Sequence, residues 1–320
     1  MAYNPDFITG YSIQLPGIPK SKKKEVATLL KGSGFLLNYE HHSVIMNKKR
    51  KFAFFSASNI DGDDWKNIER KGTFKKDDAI AASSQAGNEL YNAIKASNGR
   101  PNDFEQGHLT SFQEVTWGKT TAERKHAAAD TFYFTNCVPQ HERLNVGLWR
   151  SLEQYVLKTQ TITHGLSVSV ITGPLLADND PYYIKKIDNQ FLQIPCVFWK
   201  VVYYPNKNGL NAAGFMMSQS QLLQQDGTVT SAKSGVRSIA ASTQDLFMDY
   251  KYDAVYQVRV ELIQKISGLK FMLDNVNLPY QVKTPTDLLF KRIEVPPSRT
   301  ITPEKTVGPA LDYTLEGITL

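Results

Sequence analysis

Asn102-Asp-Phe-Glu105-Gln106-Gly107-His108-Leu-Thr110 is the stretch whose reading decides this chain, taken with Thr131-Phe-Tyr-Phe-Thr-Asn136-Cys-Val-Pro139-Gln140 and Leu144-Asn145-Val-Gly147-Leu-Trp149-Arg-Ser-Leu-Glu153. Together they supply a histidine on a Gly-His turn, a strand ending in polar residues, and a helix that opens on an amide side chain. Hydrolysis of a phosphodiester requires a base to activate water, a positive centre on the phosphate oxygens and stabilisation of the leaving oxygen. Gly107 lets the backbone turn and present His108, whose free pKa suits a base at neutral pH. A hard Mg²⁺ takes oxygen ligands and keeps several waters, so one amide oxygen, from Asn145, is enough protein ligation. Asn145, Trp149 and Glu153 recur at i, i+4 and i+8 and share a helix face. Glu153 lies about 12 Å along the axis from Asn145, so it is expected to hold a water or a basic neighbour instead of the same ion.

Outward from this block the chain reads as β-rich. Residues 1–20 are Pro- and Gly-rich and expected to be extended, and Ser21–Leu30 a short basic helix ended by Gly32. Phe35–Met46 and Lys51–Ser58 are expected strands around a turn at Asn47-Lys-Lys-Arg50, and Asn59–Gly62 a turn. A helix is expected near Asp78–Ala96, a strand over Thr131–Val138 and a helix over Leu144–Lys158. Leu166–Thr172 is an expected strand stopped by Gly173-Pro174, and Val197–Tyr204 and Asn211–Ser218 a hairpin. Tyr256–Ile266 reads as a helix stopped at Gly268. Strands in consecutive pairs predict an α+β fold with a mainly antiparallel central sheet flanked by helices. The expected organisation is an N-terminal arm (1–20), one domain (21–285) and a tail (286–320), with prolines 296, 297 and 303 in the tail.

The 320 residues carry a net charge of +6, a pI near 9.0, 41% hydrophobic and 11% aromatic residues. That composition supports a full core and argues against disorder. The mild basicity favours a polyanionic partner. Cys137 and Cys196 sit in apolar company and read as reduced, packed thiols. No secretory signal pattern or membrane-length apolar run is present, so a cytoplasmic protein without a membrane partner is expected.

The motif block resembles the DNA/RNA non-specific endonucleases with a ββα-metal core, which include bacterial sugar-non-specific nucleases and endonuclease G. The matching residues are Gly107-His108, Thr135-Asn136-Cys-Val-Pro139-Gln140, and Asn145-Val-Gly147-Leu-Trp149-Arg-Ser-Leu152-Glu153. Asn59–Gly62, Trp117-Gly118, Ile171–Pro174 and Phe198-Trp199-Lys200 also look like bacterial members. The resemblance implies a metal-dependent endonuclease of little sequence preference acting on DNA and RNA. It implies His108 as general base, Asn145 as ligand to Mg²⁺ (Mn²⁺ as substitute), Glu153 as holder of a metal-bound water and Asn136 as a polar orienter. Glu105-Gln106 stands where the family has Asp-Arg, and Gln removes a cation that would meet phosphate. Charge-assisted contacts are roughly twice as strong as neutral ones, so a weakened site is the consequence to test.

Plainer readings stand beside these. His108 alone would more often be structural, and Asn145 alone a helix cap; the block around them reverses that. His41-His42 read as structural, and no Cys/His cluster for zinc is visible. The runs at Lys20–Lys24 and Lys48–Lys51 read as solvated turns; Arg70, Lys75 and Lys76 are the candidates for phosphate contact. A degenerate nuclease fold used for binding, favoured by Gln106, and a phosphodiesterase for small nucleotides are the competing functions. A homodimer and an inhibitor or immunity protein are the further partners such an enzyme would call for.

Overall fold

The computed structural model describes residues 1–91, 104–230, 254–292, 313–316 and 318–319. Its strands are β1 (Leu36–Tyr39), β2 (His42–Asn47), β3 (Phe52–Asp61), β4 (Glu105–His108), β5 (Cys137–Gln140), β6 (Ser167–Pro174) and β7 (Tyr182–Ile187). They continue with β8 (Gln190–Gln193), β9 (Val197–Asn206), β10 (Gly209–Ser218), β11 (Val229–Thr230), β12 (Val255–Val258), β13 (Thr286–Arg292) and β14 (Tyr313–Glu316). Nine of them form one sheet in the order β1-β2-β3-β6-β9-β10-β12-β13-β14; β11-β7-β8 and β4-β5 form two small sheets. Every one of these strand pairings is antiparallel, as the paired strands predicted.

The central strands β2, β3, β9 and β10 are buried almost throughout, so the sheet is covered on both faces. Alternation along β9 divides the coverage. Phe198 meets Trp149 edge to face with ring centroids 6.0 Å apart, while Trp199 meets Phe271 at 5.4 Å. Lys200, in register with Phe198, therefore faces the layer that holds the motif block.

Several elements differ from the expectation for identifiable reasons. Lys20–Glu25 is a 3₁₀ turn, shorter than the expected helix, because Val26 bonds back to Lys23 and extended chain follows. The strand expected over Thr131–Val138 begins only at Cys137, since Phe134–Asn136 is a 3₁₀ turn held by the buried Asn136. Asn59–Gly62 is no turn at its start: β3 runs to Asp61, whose carboxylate then accepts from the N–H groups of Asp63 and Asp64. The helix expected at Tyr256 begins at Val260, because β12 occupies the first residues; Gly268 ends it in the left-handed conformation, φ 70°. Near Asp78–Ala96 the described helix is α1 (Asn88–Tyr91), and residues 92–96 lie outside the described residues, as do prolines 296, 297 and 303.

The ends of the chain are part of the packing. Tyr3, Ile8 and Ile13 of the first segment are buried in the core. β13 and β14, from the segment set apart as a tail, extend the main sheet. Arg50 is not in a solvated turn: it is 7% exposed and bonds to Asp180 at 2.6 Å and to the Ala177 carbonyl at 2.8 Å. Both cysteines are buried and unpaired, as expected.

Candidate active site

The motif block folds as two strands and a helix. β4 and β5 pair with Glu105 opposite Gln140, Gln106 opposite Pro139, Gly107 opposite Val138 and His108 opposite Cys137. The chain then enters a continuous helical run, here α3, made of wide i→i+5 turns over Arg143–Trp149, α-helix over Arg150–Gln154 and wide turns again over Tyr155–Ile162. Wide turns are uncommon and concentrate at functional sites. Asn145 sits in the first of them, half-buried, its N–H bonded to the His141 carbonyl at 3.0 Å.

Gly107 makes room for the buried Gln140 side chain: a Cβ there would lie 2.2 Å from Gln140 Oε1. Alternation puts Gln106 on the same face as His108 and turns Glu105 the other way. Glu105 is half-buried, and burial first, then Glu142, raises its carboxyl above the usual range.

His108 is seated on aromatic rings. Its imidazole lies 4.7 Å from Phe74 and 5.1 Å, edge on, from Phe132. Burial, then the charges of Arg70 and His42, bring its pKa down to about 3. The ring is therefore neutral at pH 7, and its Nε2 is buried with no hydrogen-bond partner. Behind it His42 is fully buried, its pKa also brought to about 3 by burial and then by His41. His42 Nδ1 is 3.1 Å from the Glu40 carbonyl, and its Nε2 is likewise buried without a partner.

Asn136 braces this arrangement. Its side chain accepts from Thr110 N–H at 2.9 Å and donates to the carbonyls of Thr110 (2.9 Å) and Thr131 (3.1 Å), while its own carbonyl takes the Leu109 N–H. The two residues after His108 are thus pinned to the turn before β5. The structure gives Asn136 a positioning geometry, with every bond directed to backbone.

Glu153 faces a buried charge cluster. Lys200 Nζ bonds Glu114 Oε1 at 3.0 Å with both residues fully buried, and lies 5.4 Å from the Trp149 ring centre. Burial pushes Glu153 up to about 8; Lys200 counters this and Glu114 adds to it. Ser111 and Trp149 draw the Glu153 carboxyl in the opposite direction to its burial, while its Oε1 makes no well-formed hydrogen bond among the described residues.

Of the three cations expected to contact phosphate, the structure brings one to His108. The Arg70 guanidinium lies 5.6 Å from the centre of Phe132, the ring that also touches His108. Its pKa is lowered by partial burial, then by Arg150, with Glu153 acting in the other direction. Lys75 lies over Tyr133 at 4.7 Å, and Lys76 is paired with Glu89 at 2.7 Å, so neither contact is made to His108 or its seat. Arg150 is the residue sequence reasoning missed. It is exposed on α3, within electrostatic reach of Arg70, and the signal for it was its place five residues after Asn145 in the motif block.

Residues 21–276 match the model of the DNA/RNA non-specific endonucleases. The chain is 35% identical over 225 residues to the uncharacterized protein y4fB of Sinorhizobium fredii, covering 68% of this chain and 32% of that one. It is 30% identical over 140 residues to human mitochondrial endonuclease G, covering 42% of this chain and 41% of the relative. The chain thus spans well under half of the length of these curated relatives. A solved complex of EndoG with EndoGI aligns over 75% of this chain and 86% of its own, with 18% identity and a TM-score of 0.49. Given the match across residues 21–276, the chain belongs to the family of DNA/RNA non-specific endonucleases.

Proposed function

We propose that the protein is a metal-dependent endonuclease that hydrolyses phosphodiester bonds of DNA and RNA with little sequence preference. The observation that carries this reading is an aromatic-seated His108 on β4, paired with the strand β5 that leads into the helix bearing Asn145 and Glu153, with Arg70 in electrostatic contact with both His108 and Glu153. His108 is the general base: it takes a proton from water as that water attacks phosphorus. Burial keeps its imidazole neutral at pH 7, the form that can accept a proton. Arg70 and Arg150 offer the cationic contacts to phosphate that Gln106 does not. Cations that meet phosphate act on the backbone alike in DNA and RNA and carry no base preference.

The residues fit a hard divalent ion such as Mg²⁺, with Mn²⁺ as substitute. Asn145 would hold it through its amide oxygen, and the buried Oε1 of Glu153 is suited to a water of its shell. Such an ion neutralises charge on the phosphate and on the leaving oxygen. DNA and RNA are the partners this reading requires, and an inhibitor protein is the restraint it calls for inside a cell.

Gln106 favours a second reading, a weakened nuclease fold that binds nucleic acid without cutting it. One experiment separates the two. Purified protein is incubated with plasmid and with RNA, with Mg²⁺ or with chelator, beside His108→Ala. Mg²⁺-dependent cleavage of both by the wild type alone supports the nuclease; binding without cleavage supports the second reading.

A further inference from the structure

We propose that Glu40, His41 and Glu123 form a second cation site, for a zinc-class divalent ion, separate from Asn145. The three residues come from different places: Glu40 and His41 from the two-residue turn between β1 and β2, Glu123 from the first turn of α2 (Thr121–Asp130). One ligand atom from each lies within 4.8 Å of the others. His41 Nε2 is 3.5 Å from Glu40 Oε1 and 3.4 Å from Glu123 Oε1. For ligand bonds of 2.0–2.2 Å, the edge of a zinc tetrahedron is about 3.3–3.5 Å. The imidazole nitrogen therefore already sits at coordination distance from both carboxylate oxygens.

The imidazole is also fixed as a metal-binding ring is. It is 2% exposed and stacks on Trp117 with centroids 3.5 Å apart and planes 11° from parallel. Trp117 is itself held by its indole N–H to the Asn59 carbonyl at 2.8 Å. His41 Nδ1 is 3.0 Å from the Val115 carbonyl and donates to it, which leaves the Nε2 lone pair directed at the carboxylates. Nε2 and one oxygen of each carboxylate converge on one point. Even the backbone is committed: His41 holds φ 65°, an uncommon conformation for a residue other than glycine. Imidazole plus two carboxylates suits zinc better than magnesium, which prefers an all-oxygen shell with several waters.

The surrounding charges are consistent with a site that attracts cations. The Met1 ammonium contacts Glu40 Oε1, the same oxygen that faces His41, so a metal ion here would displace that ammonium; His126 Nδ1 lies 3.9 Å from the other Glu40 oxygen, and His126 Nε2 is 3.7 Å from Asp130. The second oxygen of Glu123 accepts from the Lys119 N–H at 2.9 Å, which leaves Oε1 directed at His41. An ion here would tie the first residues and the β1–β2 turn to α2, upstream of the Thr131–Asn136 brace. Its expected role is to stabilise, with no part in the chemistry at His108.

The test is zinc titration of metal-free, tag-free protein, with Mg²⁺ in excess so that the Asn145 position is saturated. Wild type should take up one equivalent, with a rise in melting temperature, and Glu123→Gln and His41→Asn should each bind zinc at least about tenfold more weakly. Asparagine is chosen because it tolerates the left-handed conformation at position 41. Plasmid cleavage by Glu123→Gln in Mg²⁺ should stay within about twofold of wild type, since Glu123 belongs to α2 and is not one of the groups that position water or phosphate in the β4–β5–α3 unit. If His41→Asn fails to fold by circular dichroism, Glu123→Gln decides alone. No stoichiometric uptake by the wild type would overturn the proposal, and would mean that an imidazolium or the Met1 ammonium satisfies the carboxylates. Equal uptake by wild type and variants would also overturn it, by placing the zinc elsewhere. Either failure leaves the nuclease reading untouched, because cleavage is measured separately.

Discussion

The neighbourhoods of His108 and His41 use the same side chain under opposite conditions. His108 rests on Phe74 and Phe132, has no carboxylate against its ring among the described residues, and feels positive charge from Arg70. His41 rests on Trp117 and faces two carboxylates at 3.4–3.5 Å. The difference shows what separates a base from a ligand. A dry seat beside a cation keeps an imidazole neutral with its lone pair free for a proton. A ring of acceptors demands a positive occupant. The histidines differ in chemistry through the residues around them, which come from distant parts of the chain.

The largest expected effect breaks this comparison directly. His108→Ala should lower plasmid cleavage by about 10²- to 10⁴-fold, the usual contribution of a general base, while His41→Asn should leave it within about twofold where folded. Asn145→Ala should match His108→Ala, and excess Mg²⁺ should restore it only in part. Comparable losses at positions 108 and 41 would show that the two regions are one functional unit. Glu153→Ala should fall below these, at about 10- to 100-fold, as befits a residue acting through a bound water. The measurement is initial cleavage rate against Mg²⁺ concentration, and a wild-type rate would remove Glu153 from the site.

An acid titration sharpens the contrast through stability. The folded pKa values of His42 and His108 are both depressed to about 3 from an ordinary value near 6.5. The unfolded chain therefore binds protons that the folded chain refuses. Stability from these groups is complete above pH 6.5 and is lost as pH falls from there toward 3, by about 1.4 kcal/mol per pH unit for each. His41 is shifted in the same direction, mainly by burial, and adds to the trend. Urea midpoints measured from pH 7.5 to 4.5 should decline, and less steeply in His42→Gln. Parallel declines would mean that His42 is solvated.

Much of this was legible in the sequence because it was local. The Asn136–Glu153 block encodes a strand and a helix, each set by neighbours within a few residues, whereas Gly107-His108, read as a turn, lies in strand β4 because it pairs with Val138 and Cys137. The pairing of Val197–Tyr204 with Asn211–Ser218 was readable from a short polar loop between apolar runs. What was hidden is long-range. Glu123 lies 82 residues from His41, since 123 − 41 = 82, and nothing in the intervening chain marks the contact. Lys200 reads as one lysine in an apolar strand, and only the sheet order reveals Glu114 beside it. The false strand at Thr131 had the right composition; the Asn136 side chain outcompeted the ladder by bonding three backbone groups of its own surroundings.

The smallest expected effect is the most informative about this member of the family. Gln106 lies on the His108 face of β4, half-buried, where the resemblance expects arginine. Arg is planar, permanently charged and binds phosphate through two donors, whereas Gln offers one neutral amide. Arg70 and Arg150 already bring positive charge to this side, so an added guanidinium should help modestly. We expect Gln106→Arg to raise cleavage several-fold at low salt, with the gain shrinking as salt rises, because phosphate contacts are screened and release counterions. The gain must vanish in a His108→Ala background, since a cation without a base only binds. A third cation beside Arg70 would also press the His108 pKa further down, which opposes the gain and sets its ceiling. Rates for both proteins across a salt series decide the point. A flat or falling rate at low salt would mean that position 106 serves a site reshaped around Arg70 and Arg150, not one weakened by the loss of arginine.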